Sequence, residues 1–188
     1  MATIEALRLL RRLGLRPRRT IRAVLWTNEE NGLRGAKNYA EVHAAELPRH
    51  VAALEADMGA FAPTGFDVDH TDTMAGARSL KRLEAWRPLF MPLGRLQMKA
   101  GFAGSDLEPM KDAGVPLLGQ RTDPSRYFDI HHTAADTLDK VDRAEFEANV
   151  AAMALMAWLL AESPDRIDRG SAAPAVSGLH DKGAPASR

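Results

Sequence analysis

Apolar residues recur at helical spacing in several segments of the chain. Ile4, Leu7 and Leu10 share one face of residues 3–13, and Gly14 ends the pattern, which predicts an amphipathic helix. The same reasoning predicts helices over residues 33–46, 74–86, 107–113 and 142–161. The last of these is the most clearly marked, because Asp142 and Glu145 form a capping box at its start.

Three short apolar runs between these helices are typical of buried strands. They cover residues 20–27, 50–56 and 115–119. Strands and helices alternate along the chain, which predicts an α/β fold. We expect one domain over residues 1–162, because this length is enough to bury a single core. Residues 163–188 are rich in Gly, Pro, Ala and Ser, which predicts a disordered C-terminal tail.

Charge and composition exclude several kinds of partner. The 25 basic residues balance the 25 acidic ones, so no overall field favours nucleic acid or anionic lipid. The first residues carry Arg8, Arg11 and Arg12 among the leucines, so they do not form the apolar stretch of a signal peptide or a membrane span. We therefore expect neither a nucleic-acid nor a membrane partner. Because cysteine is absent, any zinc site must use His, Asp and Glu.

Side chains that could bind a metal or take part in catalysis follow the predicted strands and turns. They are the pair Glu29 and Glu30, then Asp57, the pair Ser105 and Asp106, and the pair His131 and His132. The carboxyl ends of strands in an open α/β sheet form a ligand crevice, so these side chains can converge there. Each has an alternative structural explanation as a solvated turn, a helix cap or a packing histidine. Together they favour a metal site with oxygen and nitrogen ligands, which suits zinc.

Four longer motifs carry a resemblance to a known family. They are LWTNEENGLRGAKNYAEVH, LEADMGAFAPTGF, GSDLEPMKDAGVP and YFDIHHTAADTLDKVD, in this order. Over roughly residues 2–162 the chain resembles the two-zinc exopeptidases, a family of aminopeptidases and carboxypeptidases. This resemblance implies an α/β three-layer zinc-exopeptidase fold, with a central mixed sheet flanked by helices, truncated at the N-terminus. It also implies that residues 1–162 are a partial catalytic domain.

The resemblance implies a role for each candidate residue. Glu29 matches the general base, and Glu30 and His132 match ligands of one zinc ion. Asp57 matches a ligand of a second zinc ion, and His131 is a neighbour of the site. Ser105 and Asp106 match a segment that lines the site, with a turn or helix-capping role as the alternative. The implied reaction is hydrolysis of dipeptides or chain-terminal residues by metal-activated water.

The chain departs from the family pattern at two ligands. The family has a His in a His-x-Asp motif and a bridging Asp in an acidic turn, both upstream of the segment that this chain matches. His70 and Asp72 also spell His-x-Asp, but they follow Asp57 in a segment that is typical of a surface loop. Of five family ligands, the chain therefore matches only Glu30, Asp57 and His132.

Three functions follow from this incomplete ligand set. The first is a zinc metallo-exopeptidase whose remaining ligands come from elsewhere, and retention of Glu29 beside a ligand favours it. The second is a non-catalytic remnant or fragment that acts as a binding or structural module. The third is an enzyme similar to the single-zinc glutaminyl cyclases. The resemblance also makes a homodimer reasonable. Export is common among the relatives, but the sequence does not identify the compartment of this chain.

Overall fold

A mixed sheet of four strands forms the centre of the protein. A computed structural model describes residues 1–169, and all structural statements below refer to that part of the chain. The strands are β1 (Ala53–Glu55), β2 (Pro63–Asp69), β3 (Gln97–Ala100) and β4 (Leu117–Thr122), in the spatial order β1-β4-β2-β3. The β1–β4 and β2–β3 pairs are parallel, and β2 runs antiparallel to β4.

Helices connect these strands and cover both faces of the sheet. The α-helices are α1 (Ala2–Arg12), α2 (Arg34–Val42), α3 (Thr73–Trp86), α4 (Glu108–Lys111), α5 (Tyr127–Ile130) and α6 (Arg143–Glu162). Short 3₁₀ turns cover Leu47–Arg49, Arg87–Leu93, Ser105–Leu107 and Leu138–Lys140. The predicted capping box is present in part, since the Asp142 carboxylate accepts a hydrogen bond from the Glu145 backbone N–H at 2.9 Å.

Strand β4 divides the core into two layers because successive side chains of a strand point to opposite faces. Leu118 packs with Phe66 of β2 and with Met156 of α6 on one face. Leu117, its neighbour along the strand, packs on the other face with Met110 of α4. The sheet therefore lies between two layers of helices. This arrangement confirms the α/β class and the central mixed sheet that were predicted.

Helix α6 links the sheet to the N-terminal helix. Its Met156 contacts the sheet core, while Val150 and Met153 pack against Ala6 and Leu10 of α1. α6 is long and apolar enough to span a membrane, but the buried core helix of a soluble protein can have the same length and composition. The burial of α6 on these two sides explains why its sequence is apolar almost all round.

The strand predicted over residues 20–27 is wrong. This segment has no regular secondary structure, and among residues 20–26 no backbone N–H or C=O bonds to another backbone group within residues 1–169. A cleft separates it from β1, which pairs only with β4 in the described chain. The sequence has the composition of a strand, but a strand forms only when a neighbouring strand supplies hydrogen-bond partners.

The other strands differ from prediction in smaller ways. β1 covers only Ala53–Glu55 of the predicted 50–56, and β4 is shifted towards the C-terminus, to Leu117–Thr122. The sequence did not predict β2 or β3. β2 begins at Pro63 and contains Gly65, and β3 is short and polar, so both lack the continuous apolar pattern on which strand prediction depends.

The first residues of the predicted tail belong to the folded domain. Ile167 is only 3% exposed and packs into the main core. The Arg169 guanidinium donates to the backbone carbonyls of Leu47, His50 and Ala113. The predicted disorder therefore does not include residues 163–169, and the rest of the predicted tail, residues 170–188, lies outside the described residues.

We predict that Asn149→Ala destabilises the fold. The buried Asn149 side chain accepts a hydrogen bond from Gln120 Nε2 at 2.7 Å and donates to the Phe61 carbonyl at 3.1 Å. Its removal leaves buried polar groups without partners, which costs about 1–3 kcal/mol each. The expected result is a loss of this size in the free energy of unfolding, measured by chemical denaturation. The control Glu147→Ala, on the exposed face of the same helix, should change it by less than about 0.5 kcal/mol.

Candidate functional site: a carboxylate and histidine cluster in the cleft

The four residues that the resemblance assigns as base and metal ligands lie along the cleft beside β1. The cleft has a volume of about 1030 Å³ and runs between residues 19–26 and residues 51–57. Glu29, Glu30, Asp57 and His132 all line it. Asp57 follows β1 and His132 follows α5, whereas Glu29 and Glu30 lie in the turn that precedes α2.

A tight turn holds Glu29 and Glu30. The Glu29 carbonyl accepts hydrogen bonds from the backbone N–H groups of Gly32 and Leu33 at 3.0 and 2.9 Å. Asn28 adopts a left-handed backbone conformation with φ of 64°, which asparagine tolerates better than most residues. This turn directs the two consecutive carboxylates to the end of the cleft.

Helix α5 and the turn after it hold the two histidines. The His131 ring stacks on Tyr127 at 4.4 Å between centroids and on His132 at 3.8 Å. The Thr133 hydroxyl donates to the Ile130 carbonyl at 2.7 Å and closes the turn. His132 has a φ of 57°, a left-handed conformation that is uncommon for histidine. The backbone therefore holds His132 in a restrained position beside the stacked rings.

His132 and Glu30 are in direct contact. Nε2 of His132 lies 2.8 Å from Oε1 of Glu30, and the two side chains are 63% and 68% exposed. Exposed ion pairs contribute little to stability, typically about 0–1 kcal/mol. The contact therefore has little structural value, and its importance lies in bringing an imidazole nitrogen and a carboxylate oxygen to the same point.

Asp57 lies close to this pair. Burial of its carboxylate in the cleft raises the pKa of Asp57. The nearby His131 and His132 act in the opposite direction, whereas the charge of Glu30 raises the pKa of Asp57 further. As a whole residue Asp57 is nonetheless exposed. The charges of Glu30 and His132 therefore both act on the Asp57 carboxylate.

Two buried carboxyl groups, those of Glu55 and Asp106, line the same cleft. Burial raises the pKa of Glu55 to about 8, and the negative charges of Asp106, Asp57 and Glu29 contribute to the rise. The backbone N–H of Leu107 lowers the pKa of Glu55 by a smaller amount. Burial also raises the pKa of Asp106 to about 6, with further contributions from Glu29 and Asp57. Neither oxygen of Glu55 has a hydrogen bond of normal geometry. At neutral pH Glu55 is therefore mostly protonated.

This concentration of carboxylates favours a cation. Oxygen ligands from Asp and Glu together with an imidazole nitrogen form a donor set that suits zinc. The number of donors is smaller than a zinc site needs, since residues 1–169 contain no group of three or more His, Cys, Asp or Glu side chains arranged to hold a metal. The donor chemistry fits zinc, but these residues alone form only part of a site.

Sequence reasoning missed Glu55 and Tyr127. Glu55 lies two residues before Asp57, a spacing that places both side chains on the same side of a strand. Tyr127 lies four residues before His131, a helical spacing that allows their rings to stack. His70 does not line the cleft, and its Nε2 donates to the Asp168 carbonyl at 2.8 Å. Asp72 caps α3, so both residues of the His-x-Asp sequence have structural partners.

We predict that Gly104→Ala disturbs the buried carboxyl group. Gly104 has a φ of 126°, and a Cβ atom at this position would lie 2.2 Å from the carboxyl carbon of Glu55. The control is Gly94→Ala, because Gly94 has a similar φ of 112° and the nearest atom to its added Cβ is 3.8 Å away. The overlap with Glu55 should make Gly104→Ala the more destabilising change by about 1–3 kcal/mol.

Thermal or chemical denaturation of both variants measures this difference. Adding Glu55→Ala to Gly104→Ala should recover part of the loss, because the two side chains would no longer overlap. Equal losses for the two glycine variants would show that Glu55 does not pack against Gly104.

Comparison with known proteins identifies the family. The sequence profile of peptidase family M28 matches residues 1–157. The chain is 36% identical to carboxypeptidase Q of Mus musculus and 33% identical to that of Homo sapiens, over 88% of its own length and 34% of theirs. It is 36% identical to a peptidase M28 precursor from Shewanella amazonensis, whose crystal structure matches with a TM-score of 0.75 over 88% of this chain and 37% of that one.

The match covers most of this chain but about a third of each relative. It includes all the residues of the carboxylate and histidine cluster. The mixed sheet flanked by helices agrees with the related crystal structure. The chain belongs to peptidase family M28.

Proposed function

We propose that this chain carries the general base and three of the metal ligands of a zinc-dependent exopeptidase. In this proposal Glu29 is the base, Glu30 and His132 bind one zinc ion, and Asp57 binds a second. The contact of 2.8 Å between Glu30 and His132 is the observation that supports it most directly. The two residues are far apart in sequence, yet they meet where the family resemblance implies a shared ligand role.

The neighbours of the proposed ligands keep them in place. His131 is held between Tyr127 and His132 by ring stacking, so it restricts the orientation of the proposed ligand without binding the metal itself. Asp106 is 7% exposed and lies near both Glu29 and Asp57.

Zinc, when bound, would polarise the scissile carbonyl and lower the pKa of the attacking water. The role of Glu29 is to accept a proton from that water and to deliver it to the leaving amine. Glu29 suits this role because it lines the cleft beside Glu30 and is held by the turn at Asn28. The proposed substrates are dipeptides or the terminal residues of longer peptides.

The small number of clustered metal donors favours a second proposal, a binding module without catalysis. Because residues 1–169 provide fewer than three clustered donors, the chain alone would bind zinc weakly. A chain that folds and binds peptide or metal without turnover would be a binding module. The two proposals differ in one measurable property, which is hydrolysis that depends on Glu29.

We predict that His132→Ala weakens zinc binding more strongly than His131→Ala does, because only His132 is a proposed ligand. Loss of a ligand should reduce zinc affinity by at least about tenfold, because even indirect partners of a metal have effects of this size. Isothermal titration with zinc chloride on the purified chain measures both variants, and circular dichroism checks that each is folded. Equal effects of the two substitutions would contradict the assignment of His132 as the ligand.

We also predict that Glu29→Gln abolishes hydrolysis without affecting zinc binding. Loss of a general base typically lowers the rate by about 10²–10⁴-fold. The measurement is dipeptide hydrolysis with added zinc, compared with zinc affinity for the same variant. Turnover that survives the substitution would exclude Glu29 as the base. A wild-type chain that binds zinc but shows no turnover would support the binding module.

A further inference from the structure

An exposed asparagine–glycine step lies in the turn that holds Glu29 and Glu30. Asn31 and Gly32 are both exposed residues of this turn. A Cβ atom added at Gly32 would meet no heavy atom within 4 Å other than those of its chain neighbours, so the space around this glycine is open. The step is therefore accessible to water, and it lies directly beside the two acidic residues of the candidate site.

An asparagine followed by glycine can react with its own backbone. The glycine nitrogen attacks Cγ of the asparagine, the N–Cγ bond forms, the Cγ–Nδ2 bond breaks, and ammonia leaves with the proton of the glycine N–H. Water then opens the resulting ring at either of its carbonyl carbons, which gives aspartate or isoaspartate without any oxidation or reduction. Glycine favours ring closure because it has no Cβ to crowd the attacking nitrogen.

The other three asparagines of the chain are not followed by glycine. Asn28, Asn38 and Asn149 precede Glu29, Tyr39 and Val150, respectively. Asn28 and Asn38 are exposed as Asn31 is, whereas Asn149 is buried. Exposure alone therefore does not distinguish Asn31, and the glycine that follows it does.

Hydrogen bonds hold both reacting groups while the turn is closed. Nδ2 of Asn31 donates to Oδ1 of Asn28 at 2.8 Å, and the Gly32 N–H donates to the Glu29 carbonyl at 3.0 Å. Attack on Cγ requires both groups to be released. Exposed turns open locally at a much lower cost in free energy than the core does, so the turn can open while the fold stays intact.

We propose that Asn31 is a site of spontaneous deamidation, and that its hydrogen bond to Asn28 limits how fast it reacts. The reaction needs only water, which an exposed turn supplies. Either product adds a carboxylate beside Glu29 and Glu30. Asn31 is thus a modification site that changes the charge of the cluster as the protein ages.

The isoaspartate product also changes the backbone of the turn. Its main chain runs through the former side chain, which inserts an additional backbone atom between residues 31 and 32. This atom lies inside the turn that the Gly32 N–H closes on the Glu29 carbonyl. The turn cannot keep its geometry, and Glu30 then loses the support that holds it against His132.

The test follows each asparagine in the purified chain during incubation in mildly alkaline buffer. Peptide mapping by mass spectrometry locates each amide that becomes a carboxylate, and labelling by an isoaspartyl methyltransferase identifies isoaspartate. We expect Asn31 to convert first, with isoaspartate among its products, while Asn38 stays unchanged in the same sample. Ion exchange separates the converted chain by its additional negative charge, and amides of residues 29–34 should exchange hydrogen faster in its isoaspartate form.

Three variants test the part that the turn plays. Asn31→Gln should abolish the conversion, because its longer side chain would have to close a larger ring. Asn28→Gly removes the acceptor of the Asn31 amide and should speed the conversion, since glycine adopts the φ of 64° at this position without strain. Asn28→Asp is its matched control, because aspartate keeps the Oδ1 acceptor and also tolerates this backbone conformation. It should convert more slowly than Asn28→Gly, and circular dichroism checks that all three variants are folded.

Any of three results would overturn the proposal. One is conversion of Asn31 no earlier than that of Asn38, and another is an equal rate for Asn28→Gly and Asn28→Asp. The third is an isoaspartate form whose amides in residues 29–34 exchange as they do in the unconverted chain. None of these readouts depends on zinc or on hydrolysis, so the proposal stands or fails separately from the proposed function.

Discussion

The position of β4 between β1 and β2 determines the rest of the structure. β4 pairs in parallel with β1 and antiparallel with β2, so it fixes the edge at which Glu55 and Asp57 leave the sheet. Its last residue, Thr122, donates its hydroxyl to the Met58 carbonyl at 2.5 Å, which ties the loop after Asp57 to the end of β4. The chain leaving β4 then forms α5 and carries His132 to the same edge. Carboxylates and imidazole converge because one central strand positions both.

Local signals in the sequence were enough to predict every α-helix of the described chain except the short α5. Helix α6 was predicted almost to its ends, because the cap at Asp142 and the apolar pattern after it both act within the segment itself. The strands depend on neighbours that sequence reasoning cannot see. Residues 20–27 have strand composition without a partner, whereas β3 is polar and still forms a strand because β2 lies beside it. In both segments a neighbouring strand, rather than amino-acid composition, determines whether a strand forms.

The residues of the candidate site were likewise only partly predictable from the sequence. Glu30 and His132 were selected from strand ends and from family resemblance, and the structure brings them into contact. Their roles as ligands remain a prediction. Glu55 was not selected, because its importance comes from burial beneath Gly104 and beside Asp106 rather than from its own motif. Burial is a tertiary property, and for this reason the number of charges near the site could not be estimated from the sequence.

The contacts of Arg169 have a practical meaning for defining the domain. Its guanidinium joins the carbonyls at the end of Leu47–Arg49 and of Ala113, both of which precede strands of the sheet. Ile167 fills the core two residues earlier. A truncated version that ends after α6 would lose a core side chain and leave three carbonyl groups without their donor. The folded part of the chain therefore extends at least to residue 169, which is seven residues past the end of α6.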